Sequence, residues 1–161
     1  MTIQINLNVN GIDYPVAIDA GRNLVGVLRT EIGLTGTKEG CDDCECGACM
    51  VLIDGQPVNS CSYLAAQAAD RPITTVEGVM TGDLLHPLQQ ALLDEGGVQC
   101  GFCTPGMVMS CAQLVERNPN CTLDDVKQAV SGHLCRCGTY PNIFKATLAA
   151  AETVRRAAGS K

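Results

Sequence analysis

Residues 40–49 read GCDDCECGAC, and the fold turns on what these closely set cysteines do. Cys41, Cys46 and Cys49 are spaced C-x4-C-x2-C, and Cys61 follows at the end of the next predicted hairpin. That is the plant-type spacing for a [2Fe-2S] cluster, with three ligands on one loop and the fourth farther along. Such a loop must wrap the metal while aiming three thiolates inward. Gly40 and Gly47 lower the steric cost of the wrapping, and the loop's backbone amides are placed to hydrogen-bond the sulfurs. Cys44 does not fit the spacing. It is expected to be a small, partly buried free thiol; the alternative is a substitute ligand or a redox-sensitive thiol.

Outward from this loop, the first 76 residues read as strands around one helix. Ile3, Ile5, Leu7 and Val9 alternate as a half-buried strand requires. Asn10-Gly11 is a two-residue hairpin signal, and Tyr14, Val16 and Ile18 alternate in the return strand. Leu24, Val25, Leu28 and Ile32 share one helical face, with Gly33 suited to a left-handed cap. Met50 to Ile53 predicts a buried strand that Asp54-Gly55 turns back toward Val58 and Cys61, and Ile73 to Val76 a last strand.

From about residue 82 the apolar period becomes helical. Leu84, Leu85, Leu88 and Leu92 form one stripe closed by Gly96-Gly97. Thr104-Pro105 predicts an N-cap followed by proline, opening a helix through Val108, Cys111 and Val115 that stops before Asn118-Pro119. Thr122 predicts the next cap, with Asp124 and Asp125 suited to the positive helix end. A final helix with Ile143, Leu148 and Val154 inward runs to about Ala158. Residues 77 to 83 are the candidate linker, dividing the chain into 1–78 and 79–161.

The helical half has its own cysteine group, Cys100 and Cys103 with Cys135 and Cys137. A lone C-x2-C is ambiguous among zinc, iron–sulfur and dithiol roles. Its C-x-C partner is more selective, because such positions on an extended loop can offer one thiolate to each of two irons. Positive helix N-termini nearby would favour a negatively charged cluster. Cys111 and Cys121 are read as packing residues. His86 and His133 are possible ligands that the cysteines make unnecessary. Arg136 either tunes potential by its charge or pairs with a partner surface.

Composition supports metal. The 161 residues include 11 cysteines, an odd number that cannot pair completely. No basic stretch followed by an apolar one marks a secretory signal at Met1-Thr2-Ile3-Gln4-Ile5. Dense thiols in that context point to metal rather than disulfides. The expected location is cytoplasmic, or exported already folded with a signal-bearing partner. The balance of 17 acids against 11 bases, net −6, argues against a nucleic-acid groove. No apolar run approaches a membrane span.

Three stretches together resemble the small iron–sulfur subunit of the xanthine oxidase family of molybdenum hydroxylases: LTGTKEGCDDCECGACMVLIDGQPVNSC at 34–61, QCGFCTPGM at 99–107 and LCRCGTYPNI at 134–143. The resemblance implies an α+β chain, with an N-terminal β-grasp plant-type ferredoxin domain followed by a C-terminal four-helix bundle. It implies two [2Fe-2S] clusters. The distal one would be held by Cys41, Cys46, Cys49 and Cys61, and the proximal one by Cys100, Cys103, Cys135 and Cys137. Gln99 and Cys137 would approach the pterin of a molybdenum cofactor bound mainly by a separate large subunit. Electrons released by hydroxylation of an aromatic heterocycle or aldehyde would leave through both clusters to a flavin or cytochrome. Two departures stand out. The family usually has glycine at the position of Cys44. The order Gly-Thr-Tyr-Pro after Cys137 replaces the common Thr-Gly-Tyr, and resembles members whose assembly lacks the usual flavin subunit.

The competing readings are a stand-alone two-cluster ferredoxin and a zinc-stabilised interaction module. Co-purification with a large molybdenum-containing chain separates the first from an electron-transfer subunit. The cysteine spacings do not fall into zinc-knuckle pairs.

Overall fold

The computed structural model describes residues 1–159, so the last two residues of the predicted helical half lie outside the described residues. The alternating apolar residues build β1 (Thr2–Val9), fully buried at Leu7 and Val9. Asn10 and Gly11 both hold positive φ, 54° and 79°, which matches a two-residue turn to the twist of its strands. The chain returns as β2 (Ile12–Asp19), pairing Val9 with Ile12 and Thr2 with Asp19. Asp54 and Gly55, at 50° and 72°, repeat the device between β3 (Met50–Ile53) and β4 (Gln56–Asn59).

The last strand is shorter than predicted. β5 covers Pro72–Thr74, and Val76 belongs to a 3-10 turn, Val76–Gly78. Asn10 ends it: its side chain accepts from the Thr75 amide and donates to the Thr75 hydroxyl, both at 2.9 Å, in place of ladder bonds. The sheet runs in the order β2-β1-β5-β3-β4, with β1 and β5 parallel and the other neighbours antiparallel.

Against the sheet lies α1 (Leu24–Thr30), capped by Asn23, whose side chain accepts from the Gly26 amide at 3.0 Å. It closes at Glu31 rather than at Gly33, and Ile32 packs on the core from beyond the helix. Leu24, Val27 and Leu28 join Leu7, Val9, Val51, Ile53 and Ile73 in one core. Each fully buried leucine there contributes about 1.5–3 kcal/mol.

The second half holds α2 (Pro87–Asp94), α3 (Thr104–Arg117), α4 (Leu123–Ala129) and α5 (Tyr140–Gly159) around a separate core. Ala146, Ala150 and Ala151 give α5 a slim buried face, and Leu88, Met107, Val115, Val126 and Ile143 fill the space between helices. Two expectations are corrected here. Leu84 and Leu85 precede α2 and are exposed, because Pro87 opens the helix and His86 caps it, accepting from the Leu88 amide at 3.1 Å. Thr104 is already helical. The N-cap position of α3 belongs to Cys103, whose side chain caps nothing.

Candidate functional site

Between α1 and β3 the chain runs without helix or strand, and within residues 41–49 three residues turn it in the left-handed region: Asp42 (φ 59°), Cys44 (67°) and Gly47 (69°). These reversals bring Cys41 and Cys46 together, and the Cys46 amide lies 3.4 Å from Cys41 Sγ. β3 and β4 do the same for Cys49 and Cys61, both buried against Val25 of α1. The Ser60 hydroxyl, donating to the Cys49 carbonyl at 2.6 Å, fixes the hairpin end that presents Cys61.

Burial raises the Cys46 thiol, and the neighbouring Cys41 adds to the effect. Burial pushes Cys61 up to about 12, although the Cys44 backbone amide favours its thiolate; contact with the Cys49 thiol adds to the rise. Crowding and dehydration favour the neutral thiols until a bound metal supplies positive charge. The donor set therefore fits a thiolate-bound metal.

The second group forms where α3 and α5 begin. Cys100 is lowered by a hydrogen bond to the Phe102 backbone and another with the Cys137 thiol. Cys103 is pushed up to about 12 by burial and by its bond with Cys135. Burial opposes ionisation of Cys135, but Thr139 outweighs it with its hydroxyl (3.3 Å) and backbone, aided by Cys103 and the Cys137 backbone, and Cys135 comes down to about 7. The Tyr140 hydroxyl accepts from the Cys135 amide and donates to the His133 carbonyl, each at 2.8 Å, holding the loop in place.

All eight predicted ligands come together, in two groups and in contact pairs: Cys41 with Cys46, Cys49 with Cys61, Cys100 with Cys137, and Cys103 with Cys135. Among the described residues, no three His, Cys, Asp or Glu side chains are placed to hold one metal ion. Pairs of thiols suit two bridged irons better than one tetrahedral zinc, which needs four donors converging at about 2.3 Å. Gln99, Cys100 and Cys137 are all exposed, as are Phe102, Leu134 and Arg136.

The two groups adjoin. The Leu134 amide donates to the Cys46 carbonyl at 3.0 Å. A Cβ on Gly106 of α3 would stand 2.0 Å from the Gly47 carbonyl oxygen, so only glycine allows this approach. His133 is buried here, its Nε2 2.7 Å from Ser110 Oγ, and burial lowers it to about 4.

Other sequence expectations sort as follows. Cys111 and Cys121 are buried in the helical core, with Cys111 pushed up to about 11 by that burial. Cys44 is exposed rather than partly buried, yet its thiol lies close enough to Cys61 to help raise it. Thr139, Tyr140, Asn59 and Ser110 escape motif reading as site residues. The Gly-Thr-Tyr-Pro order was the one available signal, since it sets both Thr139 and Tyr140 onto Cys135.

A family model described as "[2Fe-2S] binding domain" matches residues 75–148. The nicotinate dehydrogenase small FeS subunit of Eubacterium barkeri is 44% identical over 150 residues, covering 93% of this chain and 96% of its own. The crystal structure of quinoline 2-oxidoreductase from Pseudomonas putida 86 contains a similar chain at TM-score 0.91 and 40% identity, over 96% of this chain and 97% of that one. The aldehyde oxidoreductase of Desulfovibrio gigas matches at TM-score 0.90 and 40% identity over 99% of this chain, which corresponds to only 18% of that longer one.

Proposed function

The chain belongs to the xanthine oxidase family of molybdenum hydroxylases as a small iron–sulfur, electron-transferring subunit, and from that membership we propose how its paired thiols are used. Cys41, Cys46, Cys49 and Cys61 would hold the first [2Fe-2S] cluster. Cys100, Cys103, Cys135 and Cys137 would hold the second. When bound, each cluster takes up a single electron and passes it on. The observation that carries this reading is the meeting of the thiols as four contact pairs.

The residues then have distinct tasks. Residues 1–78 form a β-grasp ferredoxin-type domain and 79–161 a four-helix bundle built from α2 to α5; two separate cores support that division. Exposed Gln99 and Cys137 face the pterin of a molybdenum cofactor held by a large partner subunit, and the exposed Phe102 and Leu134 give that face an apolar surround. Burial keeps water from Cys49 and Cys61, so charge there is felt strongly by its neighbours. The 41–49 loop, with exposed Asp42 and Asp43, faces a flavin or cytochrome acceptor. The substrate oxidised on the partner is an aromatic heterocycle or an aldehyde, the classes named for the relatives. The assembly is cytoplasmic, or exported folded; among the described residues no helix is long and apolar enough to cross a membrane.

Iron and labile-sulfide analysis of the complex tests the reading directly. About four of each per chain are expected, with two distinct [2Fe-2S] EPR signals after dithionite reduction. A single signal, or a [4Fe-4S] signal in intact protein, would overturn it.

A further inference from the structure

At the seam between the two thiol groups one buried polar side chain fills the space. His133 is 3% exposed. Its Nε2 meets Ser110 Oγ of α3 at 2.7 Å, and its buried Nδ1 faces the Gly47 backbone. A Cβ on Gly47 would lie 2.4 Å from that Nδ1, so the ring presses directly on the turn between Cys46 and Cys49. The next residue, Leu134, donates its amide to the Cys46 carbonyl at 3.0 Å, and Cys135 follows immediately. His133 therefore touches the 40–49 loop and α3 from within the loop that carries Cys135 and Cys137. An apolar ring would fill this space but make neither the Ser110 nor the Gly47 contact, so packing alone does not account for a histidine.

We propose that His133, held by Ser110, is a positioning residue for electron transfer between the two thiolate sets, fixing the route Cys46 carbonyl to Leu134 amide to Cys135. The inference rests on the assignment of these sets to two clusters. One electron leaves the set containing Cys135 and arrives at the set containing Cys46. No bond is made or broken and no proton has to move, so the rate depends on how firmly the separation and the connecting hydrogen bond are kept. Removing the ring's bond to α3 frees the 130–139 loop to shift against the Gly47 turn.

The test uses the complete complex with its large subunit, carrying His133→Phe, His133→Gln or Ser110→Ala. Iron content and both EPR signals report loading. Rapid-freeze EPR reports the delay between reduction of one signal and the other, and spin–spin splitting of the fully reduced protein reports their separation. His133→Phe should load both clusters yet slow transfer between them about tenfold, the lower range for residues that orient ligands from the second layer, and should alter the splitting. His133→Gln, whose amide can reach Ser110 in place of Nε2, should recover most of the rate, and Ser110→Ala should fall between. An unchanged rate and splitting in fully loaded His133→Phe overturns the proposal, as does a lowered melting temperature with an unchanged rate, which marks a merely structural role. If His133→Phe fails to assemble, Ser110→Ala at the wild-type rate overturns it equally. A single [2Fe-2S] signal in the unmutated complex would instead remove the two-cluster assignment itself.

Discussion

Cys44 holds φ at 67° on an exposed stretch of the first loop, a conformation that costs a side chain about 1–2 kcal/mol. Its backbone is used nonetheless: the amide favours the Cys61 thiolate, and the carbonyl accepts from Asn59 Nδ2 at 3.3 Å. Backbone contacts of this kind survive a change of side chain. Cys44→Gly should therefore keep both EPR signals. Relief of strain exceeds the added freedom of the unfolded chain, about 0.4–1 kcal/mol, so its melting temperature should stay level or rise slightly. Cys46→Ser should abolish or strongly alter one signal. Loss of a signal in Cys44→Gly would make Cys44 a ligand.

Helix ends show how the elements serve the site. α3 follows Cys103 with no side-chain cap, which sets the positive end of the helix beside that thiol, where negative charge is stabilised. α4, away from the thiols, is capped in the ordinary way: the Thr122 hydroxyl accepts from the Asp125 amide at 3.3 Å, and Asp125 accepts from the Thr122 amide at 2.7 Å. Thr122→Ala should cost about 1 kcal/mol in urea denaturation without altering either EPR signal. Hydrogen bonds from the Thr122 amide and hydroxyl hold Asp125 below its ordinary 3.8. Its support for the fold is thus fully present above that value and is lost as pH falls through the lower folded one. The cost of Thr122→Ala should accordingly shrink in acid; a cost independent of pH would show that the reciprocal box contributes nothing.

At the scale of the whole molecule the two halves act together because their loops touch. Gly106 meets the Gly47 carbonyl so closely that Gly106→Ala forces the helix and the loop apart. The expected loss is about 1–3 kcal/mol, read as a lower melting temperature together with a changed spin–spin interaction. A wild-type melting temperature would mean the seam yields easily. Electron flow across the molecule has a direction that two variants separate. Gln99→Ala should slow reduction of the cluster at Cys100–Cys137 by the molybdenum centre, leaving the other cluster's spectrum unchanged. Asp42→Asn should alter reoxidation by the acceptor, most visibly at low salt, where surface charge is least screened. If Gln99→Ala affected only reoxidation, the proximal and distal roles would have to be exchanged.

The sequence by itself determined most of the elements and the two cysteine groups. Period-two apolar residues, Asn10-Gly11 and Asp54-Gly55 act over a few positions, so β1 to β4 are legible directly. The C-x4-C-x2-C, C-x2-C and C-x-C spacings are equally local, and they carried the expectation of two thiol groups that the folded chain brings together. Only the tertiary structure decided how those groups are paired, that they adjoin through Leu134 and Cys46, and that His133 is a buried contact of Ser110 rather than a free imidazole. It also decided that His86 caps α2 and that Cys103 stands where Thr104 was expected to cap α3. The reason is physical. Burial, thiol–thiol contact and the close approach of Gly106 to Gly47 join residues far apart in the chain, and a spacing pattern records only the distance along it.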